Sequence, residues 1–299
     1  MIIITEDIIE RLNIGLDIIY NLIEDNIINK NNYKLPCKSN ISYGDNNFFN
    51  TMPCILDSYY SCKIVSRNTN NRPSISGNIM LYDIQTSNLL SILECKLITK
   101  KRTAAVAIIA TKYLACSNFK DIVLIGLGET IYSYMEFLLY IYPNHRLTIH
   151  LIKYKDHDTK FIKKFNSSNI TWKIHNNIND AFKLADIIVS GITYKNELFV
   201  DDNSIYKKGV LIIPIHTKGF QNCDLVFDRV IVDDDNHVKN FKHYGKFKNY
   251  YELTDIIKNK NNGRKNDDER IISYNIGLGI HDNKLSSYIY NRVESLSFL

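Results

Sequence analysis

The sequence predicts an α/β protein, a doubly wound parallel sheet preceded by a smaller α+β domain. Three observations carry this. From Asp121 onward short apolar segments alternate with helical stretches, the pattern of strands buried between two helix layers. The first of those segments, Asp121–Ile125, runs straight into Gly126-Leu127-Gly128 and then a helical stretch. A strand, a Gly-x-Gly turn and a helix open a Rossmann-type unit, in which glycines let the backbone approach a pyrophosphate at a helix N-terminus. Upstream, β-forming runs separated by turn residues extend over about a hundred residues, an ordinary domain size.

Taken in order, residues 6–28 (EDIIERLNIGLDIIYNLIEDNII) carry Ile and Leu at helical spacing behind acidic residues, which predicts one amphipathic helix. A loop rich in Asn, Gly and Pro is expected to run to Pro53. Strands are expected at 61–66, 78–83 and Leu89–Glu94, with turns at Arg72-Pro73 and Ser87-Asn88. Thr99-Lys100-Lys101-Arg102-Thr103 reads as a cationic helix start and 104–115 as a helix of small residues. Beyond the glycine turn, helices are expected at 129–142, 159–165 and 179–184, and strands at Leu147–Ile152, 171–175 and 186–190. Further strands are expected at 210–215, 229–233 and Ile271–Tyr274, with a solvated polar loop over 258–268. Asp282 opens the last helix and reads as its cap.

With 45% hydrophobic and 23% charged residues, the 299-residue chain is long enough for two globular domains and is neither disordered nor fibrous. The net charge of +5 is small, and Lys is scattered rather than gathered with aromatics into one stripe, which argues against nucleic acid as a partner. MIIITEDIIE has no basic segment ahead of its apolar residues, so it does not read as a signal peptide. No window reaches the ~18 apolar residues of a membrane helix, and no membrane partner is expected. Six cysteines without a C-x-x-C pair, and without His at zinc spacing, read as thiols in a reducing cytoplasm. No metal is expected. Asp233-Asp234-Asp235 reads as a solvated turn, since three adjacent acids do not converge on one ion.

The remaining motifs come in a fixed order. They are Met52-Pro53, Lys63, Gly77-x-Ile79-x-Leu81-x-Asp83 and Leu97-Ile98-Thr99-x-x-Arg102-Thr103-Ala104-Ala105. After these come Gly126-x-Gly128, Ala185-Asp186-Ile187-Ile188, Val230-x-Val232-Asp233-Asp234 and Gly277-x-Gly279-x-x-Asp282. In order and spacing the chain resembles the ornithine cyclodeaminase and mu-crystallin family over about 250 residues, more than one domain's length. Three weaker marks are most similar to the branch that makes 2,3-diaminopropionate for siderophores and peptide antibiotics: Asn118-Phe119-Lys120-Asp121, Gly245-Lys246-Phe247, and Gly263-Arg264 ahead of Asp267-Asp268-Glu269.

The resemblance implies a substrate-binding and dimerisation domain over 1–115, completed by a C-terminal helix at 275–299, and a dinucleotide-binding domain over 116–274. It implies a cytoplasmic homodimer that uses NAD or NADP on a small amino-acid substrate. In that branch N-(2-amino-2-carboxyethyl)-L-glutamate is oxidatively cleaved to 2-oxoglutarate and L-2,3-diaminopropionate.

By position, the resemblance assigns substrate carboxylates to Lys63 and Arg102, with Lys38 where relatives generally have an Arg. A guanidinium at a helix start suits bidentate capture of a carboxylate, and a strand lysine of lowered pKa can also move a proton. Lys38 keeps the charge but loses the planar fork. His216 stands where relatives have an acid or small polar residue, and an imidazole there suits proton transfer. Lys63 and His216 are thus the catalytic candidates. The cofactor falls to Arg102, Thr103, Gly126, Gly128, Glu129, Thr130, Lys153, Ile192 and Asn275. Two departures stand out. Ile131 occupies the third small position, where bulk is expected to shift the helix or narrow the pyrophosphate pocket. Lys153 and Lys155 occupy the end of the second strand, where an acid would bind the ribose of NAD, and they lean towards NADP or mean that the ribose contact is lost. Ser190-Gly191-Ile192 replaces a Thr-rich turn. Two rival readings stand beside the dehydrogenase: a cyclodeaminase-type lyase converting ornithine to proline, and a non-catalytic relative with a degraded cofactor site.

Overall fold

The computed structural model describes residues 1–71, 74–192, 195–259 and 263–297. The expected turn at Arg72-Pro73 and residues 260–262 of the expected loop lie outside the described residues. In chain order the helices are α1 (Glu6–Arg11), α2 (Leu16–Ile28), α3 (Lys96–Leu114), α4 (Glu129–Ile141), α5 (His157–Phe165), α6 (Ile178–Phe182), α7 (Asp235–Val238), α8 (Leu253–Lys258) and α9 (Gly279–Ser297). The chain divides into two compact units, Met1–Arg102 with Gly277–Leu299, and Thr103–Ile276.

The first unit is built on β1 (Ile2–Ile4), β2 (Ser39–Tyr43), β3 (Asn47–Leu56), β4 (Tyr59–Arg67), β5 (Ile75–Asp83) and β6 (Leu89–Glu94), in the order β1-β6-β5-β4-β3-β2. β1 joins β6 in parallel and the other pairs are antiparallel. Register separates the two faces. The row Ile4, Leu93, Ile79, Lys63, Met52 runs across five strands, and all five residues are buried. The next row, Ile3, Ile92, Met80, Cys62, Pro53, points to the opposite face, because side chains alternate along a strand. Helix α9 packs on β3, β4 and β5 and against α2. The Glu6 carboxylate accepts the backbone N–H groups of Lys96 and Leu97, both at 2.8 Å, and so fixes where α3 begins.

Three expectations for this unit are corrected. The single helix over 6–28 is two helices, because Asn13 takes φ +44° and Gly15 caps α2. The loop expected up to Pro53 instead contains β2 and most of β3, joined around Gly44 and Asn46, which both take positive φ. Every residue of β2 is exposed, so no alternation of apolar and polar residues marked it as a strand. Helix α3 starts at Lys96, ahead of the expected start at Thr99.

The second unit holds β7 (Asp121–Ile125), β8 (Leu147–Ile152), β9 (Ile170–His175), β10 (Ile187–Ser190), β11 (Leu211–Pro214), β12 (Arg229–Val232), β13 (Tyr250–Glu252) and β14 (Ile271–Tyr274). They form one parallel sheet in the order β13-β12-β14-β11-β10-β7-β8-β9. This is the expected Rossmann-type doubly wound sheet. Strand order reverses between β7 and β10, and ligands of such sheets lie beyond the carboxyl ends of the strands at that point. The short β13, α7 and α8 were not anticipated. Within the expected loop, 265–268 are exposed, but the Arg264 guanidinium donates to the carbonyls of Leu114, Gly209 and Glu269. It thereby ties the end of α3 to the segment before β14. Asp233 and Asp234 are buried rather than solvated, and the Asp234 carboxylate caps α7 by accepting the His237 N–H. Among the described residues no helix is long and apolar enough to cross a membrane.

Candidate functional site

Four side chains from three elements converge in the first unit. Thr99 and Arg102 lie three apart on α3 and so share a face, Lys63 points to the buried face from β4, and Asp282 stands in the first turn of α9. Lys63 Nζ donates to Thr99 Oγ1 at 2.7 Å and to Asp282 Oδ1 at 3.1 Å. Arg102 Nε donates to the same Oδ1 at 3.2 Å. The side chains of Lys63 and Asp282 are each 1% exposed, and among the described residues Asp282 Oδ2 has no hydrogen-bond partner. Burial lowers the Lys63 pKa below the ordinary lysine value, with Asp282 opposing the shift. For Asp282, burial alone would raise the pKa, but Arg102 and Lys63 outweigh it and hold the carboxyl below its usual range. Two cations on one carboxylate leave the buried cluster with a net single positive charge.

Asp282 is therefore not a helix cap. Its side chain is an ion-pair partner of the two predicted substrate residues, which the sequence did not reveal although the Gly277-x-Gly279-x-x-Asp282 motif contained it. Gly277 belongs to the same arrangement. It takes φ +83°, and a Cβ there would collide with the Arg102 guanidinium. Lys38 is half-buried one position before β2. Continuing the Ser39 to Thr51 register places it opposite Met52, level with Lys63 two strands away.

In the second unit, Gly126 takes φ +74°, and a Cβ there would stand 2.8 Å from the Ile192 backbone nitrogen. Gly128 is the N-cap of α4 without a side-chain cap bond, with Glu129 and Thr130 the first helical residues. Ile131 is fully buried, and its Cγ1 lies 2.7 Å from where a Cβ on Gly191 would stand. Bulk on α4 thus faces a residue without a side chain on the β10 turn. Lys153 Nζ donates to Asp158 Oδ2 at 2.8 Å, and Lys155 Nζ lies 5.4 Å from the centre of the Tyr154 ring. Thr103 and Asn275 are buried, and among the described residues Asn275 Nδ2 has no hydrogen-bond partner.

His216 Nε2 lies 2.6 Å from Ser190 Oγ, so these residues link the ends of β10 and β11. Burial lowers the His216 pKa to about 4, with the Lys218 backbone opposing, so the ring is neutral at physiological pH. His281, within reach of Asn26 Nδ2 at 3.2 Å, is lowered by burial to about 3. A depressed histidine pKa means stability that is present above the ordinary value of about 6.5 and is lost as pH falls through the folded values. Asp224, raised to about 6 by burial, works in the opposite sense. At about 1.4 kcal/mol per unit, the two histidines together outweigh it. Thermal unfolding followed from pH 7 to pH 4 should show a falling Tm, and His281→Gln should flatten the curve. An unchanged slope in that variant would remove His281 from the account.

The family model described as ornithine cyclodeaminase/mu-crystallin matches residues 1–297. A Delta(1)-pyrroline-2-carboxylate reductase of Bacillus thuringiensis is 28% identical over 245 residues, 75% of this chain and 73% of that protein. An N-((2S)-2-amino-2-carboxyethyl)-L-glutamate dehydrogenase of Staphylococcus aureus is 24% identical over 240 residues, 75% of this chain and 70% of that protein. An archaeal alanine dehydrogenase dimer with bound NAD superposes with a TM-score of 0.85 at 21% identity, covering 99% of this chain and 97% of that one. With a family match over nearly its whole length, and the motif residues gathered as described, this chain belongs to the ornithine cyclodeaminase/mu-crystallin family.

Proposed function

We propose that this protein is an NAD(P)-dependent oxidoreductase acting on the Cα–N bond of an amino acid or of the corresponding imine. The observation that carries the reading is the buried net positive charge of Lys63, Arg102 and Asp282. An uncompensated buried charge is costly, and one substrate carboxylate neutralises it. Asp282 orients both cations through one oxygen, and Arg102 offers the carboxylate its planar fork. Lys63, with its pKa lowered by burial, is the group suited to exchange a proton with the substrate nitrogen. When bound, a nicotinamide dinucleotide supplies a hydride to the substrate Cα or takes one from it. The glycine turn, the uncapped N-terminus of α4 and the unpartnered amide of Asn275 fit such a cofactor.

One positive charge matches a monocarboxylate such as Delta(1)-pyrroline-2-carboxylate, the substrate in the name of one relative. N-(2-amino-2-carboxyethyl)-L-glutamate carries three carboxylates and would need further cations, of which Lys38 is the nearest in register. Assays with both compounds and both cofactors decide between them. Absence of turnover with all four combinations sinks the proposal.

A homodimer is part of the same reading. The sheet face opposite Lys63 presents Ile3, Phe49, Ile55 and Ile64, each more than a third exposed, around half-buried Ile92, Met80 and Cys62. An apolar face of this kind marks an interaction surface, and the similar alanine dehydrogenase is a dimer. Met80→Glu, placed mid-row, should convert a dimer to a monomer in light scattering. A wild-type chain that is monomeric at micromolar concentration rejects the idea.

A further inference from the structure

We infer that Asp158 sets the nucleotide preference of this protein by neutralising Lys153, so that the pocket edge does not favour a 2′-phosphate and NADH binds at least as well as NADPH. The inference rests on the reading above that the glycine turn holds a dinucleotide.

The end of the second strand of a dinucleotide-binding sheet meets the adenosine ribose, and a free cation there selects the 2′-phosphate. Lys153 directly follows β8 and offers such a cation by sequence. In the fold its Nζ is 2.8 Å from Asp158 Oδ2, and the Asp158 side chain is fully buried in the first turn of α5. Among the described residues Asp158 Oδ1 has no hydrogen-bond partner, so within this pair its charge is balanced through Oδ2 by Lys153. The hydrogen bond from Lys153 lowers the Asp158 pKa, with burial opposing, so the carboxylate stays ionised. A 2′-phosphate brought to Lys153 would therefore meet a neutral pair with a carboxylate behind it. The second cation is also engaged, since Lys155 takes φ +51° and lies over the Tyr154 ring, which itself packs edge-on against His157. A ribose hydroxyl requires no charge and accepts from the remaining Lys153 N–H groups without disturbing the pair.

The test measures equilibrium binding of NADH and NADPH by quenching of protein fluorescence, without any substrate. The wild type is expected to bind NADH as tightly as NADPH or more tightly. Asp158→Asn keeps the shape and frees the cation, so the affinity ratio should move towards NADPH by about tenfold or more, the size of one charge-assisted hydrogen bond. Lys153→Gln with Asp158→Asn removes both charges and should restore the wild-type ratio within about threefold. That double variant also covers the case in which the single variant folds poorly. If Lys153 already held the phosphate, the wild type would prefer NADPH and the double variant would lose that preference, which overturns the inference. A ratio unmoved by Asp158→Asn does the same. Wild-type protein that binds neither dinucleotide overturns the inference together with the reading on which it rests, whereas binding with an unmoved ratio overturns the inference alone.

Discussion

Asp282→Ala is expected to destabilise the first unit by about 3–5 kcal/mol, the cost of removing one partner from a buried ion pair. Two cations, Lys63 and Arg102, would remain in a site where their side chains are 1% and 6% exposed. Lys63 has an escape that Arg102 lacks. Burial already lowers its pKa and Asp282 opposes that shift, so losing Asp282 moves Lys63 further towards the neutral amine, whereas a guanidinium stays charged. The variant should therefore show both a lower Tm and a weaker grip on a carboxylate ligand, because the geometry set by the shared oxygen is gone. A paired control separates the two effects. Lys63→Met and Arg102→Met with Asp282→Leu replace all three charges with apolar bulk and leave no ion buried without its partner. Apolar replacement of a whole buried ion-pair cluster is often neutral or stabilising, so this triple variant should regain most of the Tm yet remain inactive with every substrate. Tm and activity recovering together would show that the three side chains serve packing alone.

What the sequence disclosed and what it concealed follow from the range of the interactions. The parallel sheet was legible because β10, β11, β12 and β14 are buried at every position and read as short, mostly apolar runs. Lys63 and Arg102 were legible by resemblance, yet what joins them was not. Asp282 lies 219 residues from Lys63 and 180 from Arg102, and nothing local in a helix's first turn distinguishes a cap from a counter-ion. The same limit applies to Lys153. As a residue in KYK it reads as a free cation, and only the turn into α5 brings Asp158 onto it. Strand β2 was hidden for a different reason, since an exposed edge strand has no buried face to impose a pattern.

The exchange between Ile131 and Gly191 gives the most exacting check on the second unit. Gly191 has a φ outside the left-handed region, so alanine is conformationally permitted there, and any cost of Gly191→Ala comes from packing. The new Cβ would stand 2.7 Å from Ile131 Cγ1 and 2.9 Å from its Cδ1, and Ile131 is fully buried with no room to retreat. Overpacking of this kind costs about 1–3 kcal/mol. Ile131→Ala errs in the other direction, leaving a cavity at a cost of about 2–5 kcal/mol. Combined, the new methyl on the β10 turn enters space vacated on α4, so the double variant should be more stable than the sum of the two losses by at least about 1 kcal/mol. The geometry also extends to ligand binding. A Cβ on Gly126 would come within 3.0 Å of the Gly191 carbonyl carbon, so a displaced β10 turn presses on the glycine turn. NADH affinity should then fall in Gly191→Ala and recover in the double variant. Losses that simply add, in both Tm and affinity, would mean that Ile131 is an ordinary core residue and that the third small position of the glycine motif is missing without compensation.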